Sequence, residues 1–150
     1  LNVDAELKKI HRVAFYVWGA MLGSIFIYAA VIEFLSRSPE GSAILPGNEN
    51  SETIKYVFIG LAIASYLVIP VIKRAYGLVS GAKYPFSAAI TKLYTGSMII
   101  FAVCEVPAVL GVALYFLAGS RVDFYMFLAI SILMFIIYFP RVEQWREMIE

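Results

Sequence analysis

SMIIFAVCEVPAVLGVALYFLA, residues 97–118, carries one charged side chain, Glu105, with Pro107 two positions beyond it. A run of about 17 to 25 predominantly apolar residues is enough to cross a bilayer as a helix. The segment this stretch belongs to, Ile90–Ala118, meets that requirement, and so do Val13–Leu35, Ile54–Ile72 and Val122–Pro140. Of the 150 residues, 61% are hydrophobic and 15% charged, and the mean hydropathy of +0.81 lies far outside the range of ordinary soluble domains. The sequence therefore predicts an all-α fold, a four-helix transmembrane bundle, with 1–150 as a single integral membrane domain. The first apolar run is full length and no small-residue cleavage site follows it, so it is expected to remain as a span.

Short amphipathic segments are expected at both ends. Val3, Leu7, Ile10 and Ala14 recur at helical spacing before the first span, opposite Asp4, Glu6, Lys8 and Lys9. Val142, Trp145 and Ile149 form a similar stripe in RVEQWREMIE. Tyr16, Trp18, Tyr76, Tyr84, Phe86, Phe124 and Tyr125 fall near the expected membrane boundaries, where aromatic side chains collect.

Basic residues set the expected orientation. Lys8, Lys9 and Arg12 precede the first span, Lys73, Arg74, Lys83 and Lys92 lie around the second loop, and Arg141 and Arg146 follow the fourth span. The other side holds Arg37, Lys55 and Arg121, together with Glu40, Glu49 and Glu52. The positive-inside rule then places both termini and the second loop in the cytoplasm of a prokaryotic inner (cell) membrane. A net charge of +1 without a strongly basic run argues against a nucleic-acid partner.

Small residues four apart let helix backbones approach closely in lipid. Gly19 and Gly23 in GAMLG, Gly60 and Ala64 in GLAIA, and Ala108 and Gly111 after Glu105 are the helix-packing candidates. They point to self-association or to membership of a larger membrane complex.

Glu105 is the only charged residue near the middle of a span. Holding a charge there costs about 2.5 to 3.5 kcal/mol even on the lenient insertion scale. Such an acid has either a partner or a task. Pro107 cannot donate a backbone hydrogen bond and so frees the carbonyl of Val103. Carboxyl and carbonyl oxygens together suit a proton or a small hard cation. The candidate proton- or cation-binding set is Glu105, Val103, Tyr94 three turns towards the cytoplasm, and Ser131 on the fourth span. Ser24 and Tyr28 on the first span and Ser65 and Tyr66 on the second are further polar groups that could reach the acid. None is cationic, so the alternative is a neutral Glu105 that packs helices by hydrogen bonding.

No enzyme, cofactor or metal centre is expected. His11 is the only histidine and cannot supply paired haem ligation or a metal cluster. Cys104, the only cysteine, lacks a paired thiol and a base, and no disulfide framework can form.

Residues 82–118, AKYPFSAAITKLYTGSMIIFAVCEVPAVLGVALYFLA, resemble the second half of the proteolipid, or c-type, subunits of rotary ATP synthases. Ala82, Lys83 and Pro85 match that family's A-R-x-P loop with Lys for Arg, Glu105 falls where the ion-carrying acid would be, and Ala108 to Leu114 resembles the segment after it. The resemblance implies reversible proton or sodium binding at Glu105 within a membrane assembly. The chain departs from the family in LAIASYLVIPVIKRAYG, which has bulky residues where that family carries alternating glycines or alanines, and in its two additional spans. Two function classes follow: a proteolipid-like ion-binding protein, or a non-catalytic accessory subunit with a neutral, helix-packing Glu105.

Overall fold

The computed structural model describes residues 3–37, 51–78, 83–147 and 149. They form five helices: α1 Val3–Arg37, α2 Ser51–Ala75, α3 Phe86–Ala118, α4 Arg121–Ile137 and α5 Val142–Glu147. Among the described residues there is no strand beyond an isolated bridge between Tyr84 and Ile149. Helical segments Ala5–Arg37, Glu52–Ala75 and Phe86–Ala118 are long and apolar enough to cross a membrane. The fold is thus all-α, as its composition predicts, with three candidate membrane spans. α4 covers most of the fourth expected segment, and its 17 residues make a rod of about 26 Å.

Local chemistry sets the helix ends. α3 starts after Pro85, whose fixed φ suits the residue before a helix. It ends at Gly119, where φ is +68° and the backbone N–H donates to the Tyr115 carbonyl at 2.8 Å. Ser120 then caps α4 by accepting from the Asp123 N–H at 3.3 Å, and Asp123 places a carboxylate by the positive end of the helix dipole. This two-residue link turns the chain back on itself, so α4 runs antiparallel to α3. Pro70 and Pro107 both lie inside unbroken helices.

α3 is the central element. It packs against α1, α2 and α4, and α4 closes onto α1, whereas α1 and α2 make at most a fringe contact with each other. The α3–α4 approach is close because Gly111 has no side chain: a Cβ there would lie 2.8 Å from the Phe127 Cβ and 3.2 Å from the Phe124 carbonyl. Ala108, one turn earlier, is fully buried. Both residues lie buried within the bundle. The other candidates do not do so within the chain. A Cβ on Gly19, Gly23 or Gly60 would meet nothing within 4 Å, and Ala64 is exposed. These four lie on helix faces turned away from α3, because α1 and α2 present other stripes, such as Ile25 and Ile32 or Ala62 and Ile69, to the core.

Three apolar cores lie along α3, the smallest around Ala62, Leu114 and Phe127, and the other two differ in size. The larger gathers Ile25, Ile32, Ile69, Phe101, Phe124 and Phe135. The smaller joins Leu7 and Ala14 of α1, Ala89 and Leu93 of α3, and Trp145 of α5. Leu7 and Ala14 of the N-terminal apolar stripe are therefore covered by protein, and α1 continues into the first span as one helix. Trp145 is buried and meets the His11 ring edge-on at 5.4 Å, so it is a packing residue rather than an interfacial anchor. Phe124, expected at a boundary, is fully buried between α4 and α3. The outer surface is apolar instead. Phe26, Ile27, Val31 and Phe34 on α1, with Leu67 and Val71 on α2, are all exposed, the inverse of a soluble protein's surface.

Polar contacts pin the end of the bundle where α3 passes into α4. Arg121 donates to the Ser36 carbonyl at 2.8 Å, Lys55 pairs with Asp123 at 2.6 Å, and Tyr125 donates to Glu33 at 3.2 Å. At the opposite end Gly77 adopts a φ of +64° with the Tyr84 hydroxyl lying where a Cβ would be, so only glycine fits that turn. Ala82 and most of the first loop, 38–50, lie outside the described residues.

Candidate functional site

Glu105 lies on α3 midway between Lys92 and Ala118, about 20 Å along the axis from each. Its carboxyl is half-buried and faces α1. Ser24 and Tyr28, one turn apart on a single α1 face, both reach it. The Ser24 hydroxyl lies 2.7 Å from Glu105 Oε1, and the Tyr28 hydroxyl donates to the same oxygen at 2.7 Å.

Ser24 also lies 2.6 Å from the Met21 carbonyl of its own helix. A serine hydroxyl has one hydrogen, and a carbonyl oxygen can only accept. If that hydrogen goes to Met21, the contact with Oε1 is a full hydrogen bond only when Glu105 supplies a proton. If Glu105 is ionised, Ser24 must turn its hydrogen towards Oε1 and release the carbonyl. The Met21–Ser24–Glu105 chain thus has two hydrogen-bond arrangements that differ by one proton on the acid. Tyr28 donates in both.

The other sequence candidates fall elsewhere. Ser131 is fully buried on α4, but its hydroxyl donates to the carbonyl of Cys104. Cys104 and Glu105 are successive helical residues, about 100° apart around the axis, so Ser131 braces the α4 side of α3 while the acid faces α1. Among the described residues no side chain donates to the Val103 carbonyl, and Ser131 takes its neighbour's instead. Tyr94 is exposed and about 16 Å along the axis from Glu105, too far to touch it. Ser65 on α2 bonds back to the Ala62 carbonyl at 2.7 Å, and Tyr66 is exposed.

The site is thus Glu105, Ser24 and Tyr28, one carboxyl and two hydroxyls from two helices. Ser24 and Tyr28 were two of several polar groups that the sequence offered, and their spacing of four residues is the signal that sets them apart. All the contributing atoms are oxygens, which suits proton exchange or a small hard cation. Among the described residues no three His, Cys, Asp or Glu side chains gather to hold a metal ion. No family model, curated protein or solved structure matches the chain.

Proposed function

We propose that this chain is a four-span, proteolipid-like membrane protein that reversibly binds a proton or small cation at Glu105. The observation that carries this reading is the Ser24 hydroxyl, held within 2.7 Å of both Glu105 Oε1 and the Met21 carbonyl with one hydrogen to share. Loss of a proton from Glu105 is answered by rotation of one hydroxyl. An acid at mid-span depth, paired with hydroxyls and no cation, can change its protonation state without breaking an ion pair. The reaction is a binding equilibrium and needs no covalent step.

In this reading α4 is the fourth span, and the basic end carrying Lys8, Arg12, Lys73, Lys92 and Arg141 faces the cytoplasm of a prokaryotic cell membrane. The outward Gly19, Gly23, Gly60 and Ala64 support association with further copies or with other subunits, because small residues with no neighbour leave room for another backbone. The resemblance of residues 82–118 to c-type subunits supports the same assignment of Glu105.

A second reading rests on the same hydrogen bonds. With Glu105 neutral, all three groups are satisfied within the chain, and the cluster fastens α1 to α3 in an accessory subunit. A carboxyl-modifying carbodiimide applied to the membrane-embedded protein separates the two. Ion binding predicts an adduct on Glu105 that disappears at high pH or on adding sodium, and is absent in Glu105→Gln. An adduct insensitive to both pH and sodium, or none at all, leaves the fastening role.

A further inference from the structure

Away from Glu105, a cleft of about 340 Å³ opens at the basic end of the bundle, lined by Lys8, His11, Arg12 and Phe15 of α1 and Arg146 of α5. Among the described residues no acidic side chain lines it. Lys8, His11, Arg12 and Phe15 follow one another at helical spacing along a single stripe, and α5 supplies the opposite wall. The wall is fixed by His11, whose Nε2 donates to the Pro140 carbonyl at 3.0 Å and whose ring meets Trp145. Since that carbonyl can only accept, Nε2 carries a proton.

We infer that this cleft binds the phosphate of an anionic phospholipid headgroup. The chemistry that it recognises is a phosphate oxyanion, for which guanidinium forks and an ammonium group are the matching donors. Its position selects a lipid over free phosphate. Phe15, 42% exposed, stacks with Trp18 at 5.8 Å and meets Phe139 edge-on at 6.0 Å. This aromatic ledge begins at the cleft and runs along α1 into the apolar span. A ligand with an anionic head and an acyl chain fits both parts at once, whereas inorganic phosphate uses only the first.

The test uses the purified full-length protein, delipidated in detergent and titrated with phosphatidylglycerol or phosphatidylcholine of matched chains, with bound lipid counted by native mass spectrometry. Phosphatidylglycerol should be retained in preference, with the preference falling as salt rises. Lys8→Gln and Arg12→Gln should each weaken that preference about fivefold, the effect of one basic charge at an anionic surface. Arg12→Lys should keep most of it, and Lys83→Gln, outside the cleft, should leave it unchanged. The proposal is overturned if the two lipids bind equally, if the combined Lys8→Gln, Arg12→Gln variant keeps the wild-type preference while still folded by circular dichroism, or if millimolar inorganic phosphate displaces phosphatidylglycerol, which would make the cleft a free-phosphate site.

Discussion

Tyr28 donates its phenolic hydrogen to Oε1 of Glu105 at 2.7 Å across the α1–α3 interface, on the oxygen that Ser24 approaches from one turn earlier. Two hydroxyls converging on one atom are coupled. Tyr28→Phe removes one donor at nearly constant shape and should cost about 0.6 to 1.7 kcal/mol, the span measured for interhelical hydrogen bonds in membranes. Ser24→Ala should cost a similar amount. The double variant should lose more than the sum of the two, because donors sharing one oxygen weaken each other and the one that remains compensates in either single variant. A double-mutant cycle by denaturant unfolding in mixed micelles measures this, and strict additivity would show that the hydroxyls act independently.

Gly111 and Gly60 should respond oppositely to the same change. Gly111→Ala puts a methyl 2.8 Å from the Phe127 Cβ and against the rigid Phe124 carbonyl, so α4 must move. Overpacking of this kind costs about 1 to 3 kcal/mol. Gly60→Ala meets nothing in the chain and should leave monomer stability unchanged or slightly improved. If Gly60 packs against another subunit, the same variant should weaken assembly, seen as a smaller species in size-exclusion chromatography.

Ser131→Ala tests the brace on the far side of α3. The hydroxyl is fully buried and bonded to the Cys104 carbonyl, next to the turn that Pro107 deprives of a donor. Its loss should destabilise the bundle by about 1 kcal/mol. Carbodiimide labelling of Glu105 should be unaffected, since the carboxyl faces α1. A change in labelling would mean that the two faces of α3 communicate.

Gly77→Ala should fail for reasons of backbone geometry. A φ of +64° strains any side chain, and the Tyr84 hydroxyl occupies the space a Cβ would take. Destabilisation of about 1 kcal/mol or more is expected. Adding Tyr84→Phe relieves the clash with the hydroxyl and should recover part of the loss, leaving the backbone strain. Thermal melts of the single and double variants report both parts.

The three long apolar helices and the place of Glu105 on one of them were legible in sequence because each rests on a property of one segment. An apolar run declares its own length, and an acid at mid-span is conspicuous without knowledge of its neighbours. The partners of Glu105 depend on which helix faces which, and single-segment patterns do not encode that. Ser24 could nonetheless have been favoured over Ser65, which lies only eight residues from Lys73 on α2, by depth. It lies twelve residues beyond Arg12, as Glu105 lies thirteen beyond Lys92, and α1 and α3 run in the same direction from the basic end. Ser131 misled because it has the right depth on the wrong side of α3. The glycines mark the same limit: Gly19, Gly23 and Gly60 have the spacing of a packing face, but spacing cannot say whether the helix that uses it belongs to the same chain. Gly111 did pack, because the short Gly119–Ser120 link forces α4 against it.

The central place of α3 also bears on how the chain is made. α1 and α2 leave synthesis first, yet almost every interhelical surface they use is on α3 or α4. Until residues 86–118 have entered the bilayer, the first two helices have no shared interface to hold them together, only the chain that links them. Assembly is therefore delayed rather than sequential, with the third helix acting as the template on which earlier and later segments are sorted. An arrest that exposes only α1 and α2 should yield two helices free to separate in the membrane, whereas one that also exposes α3 should yield a bundle already close to its final form.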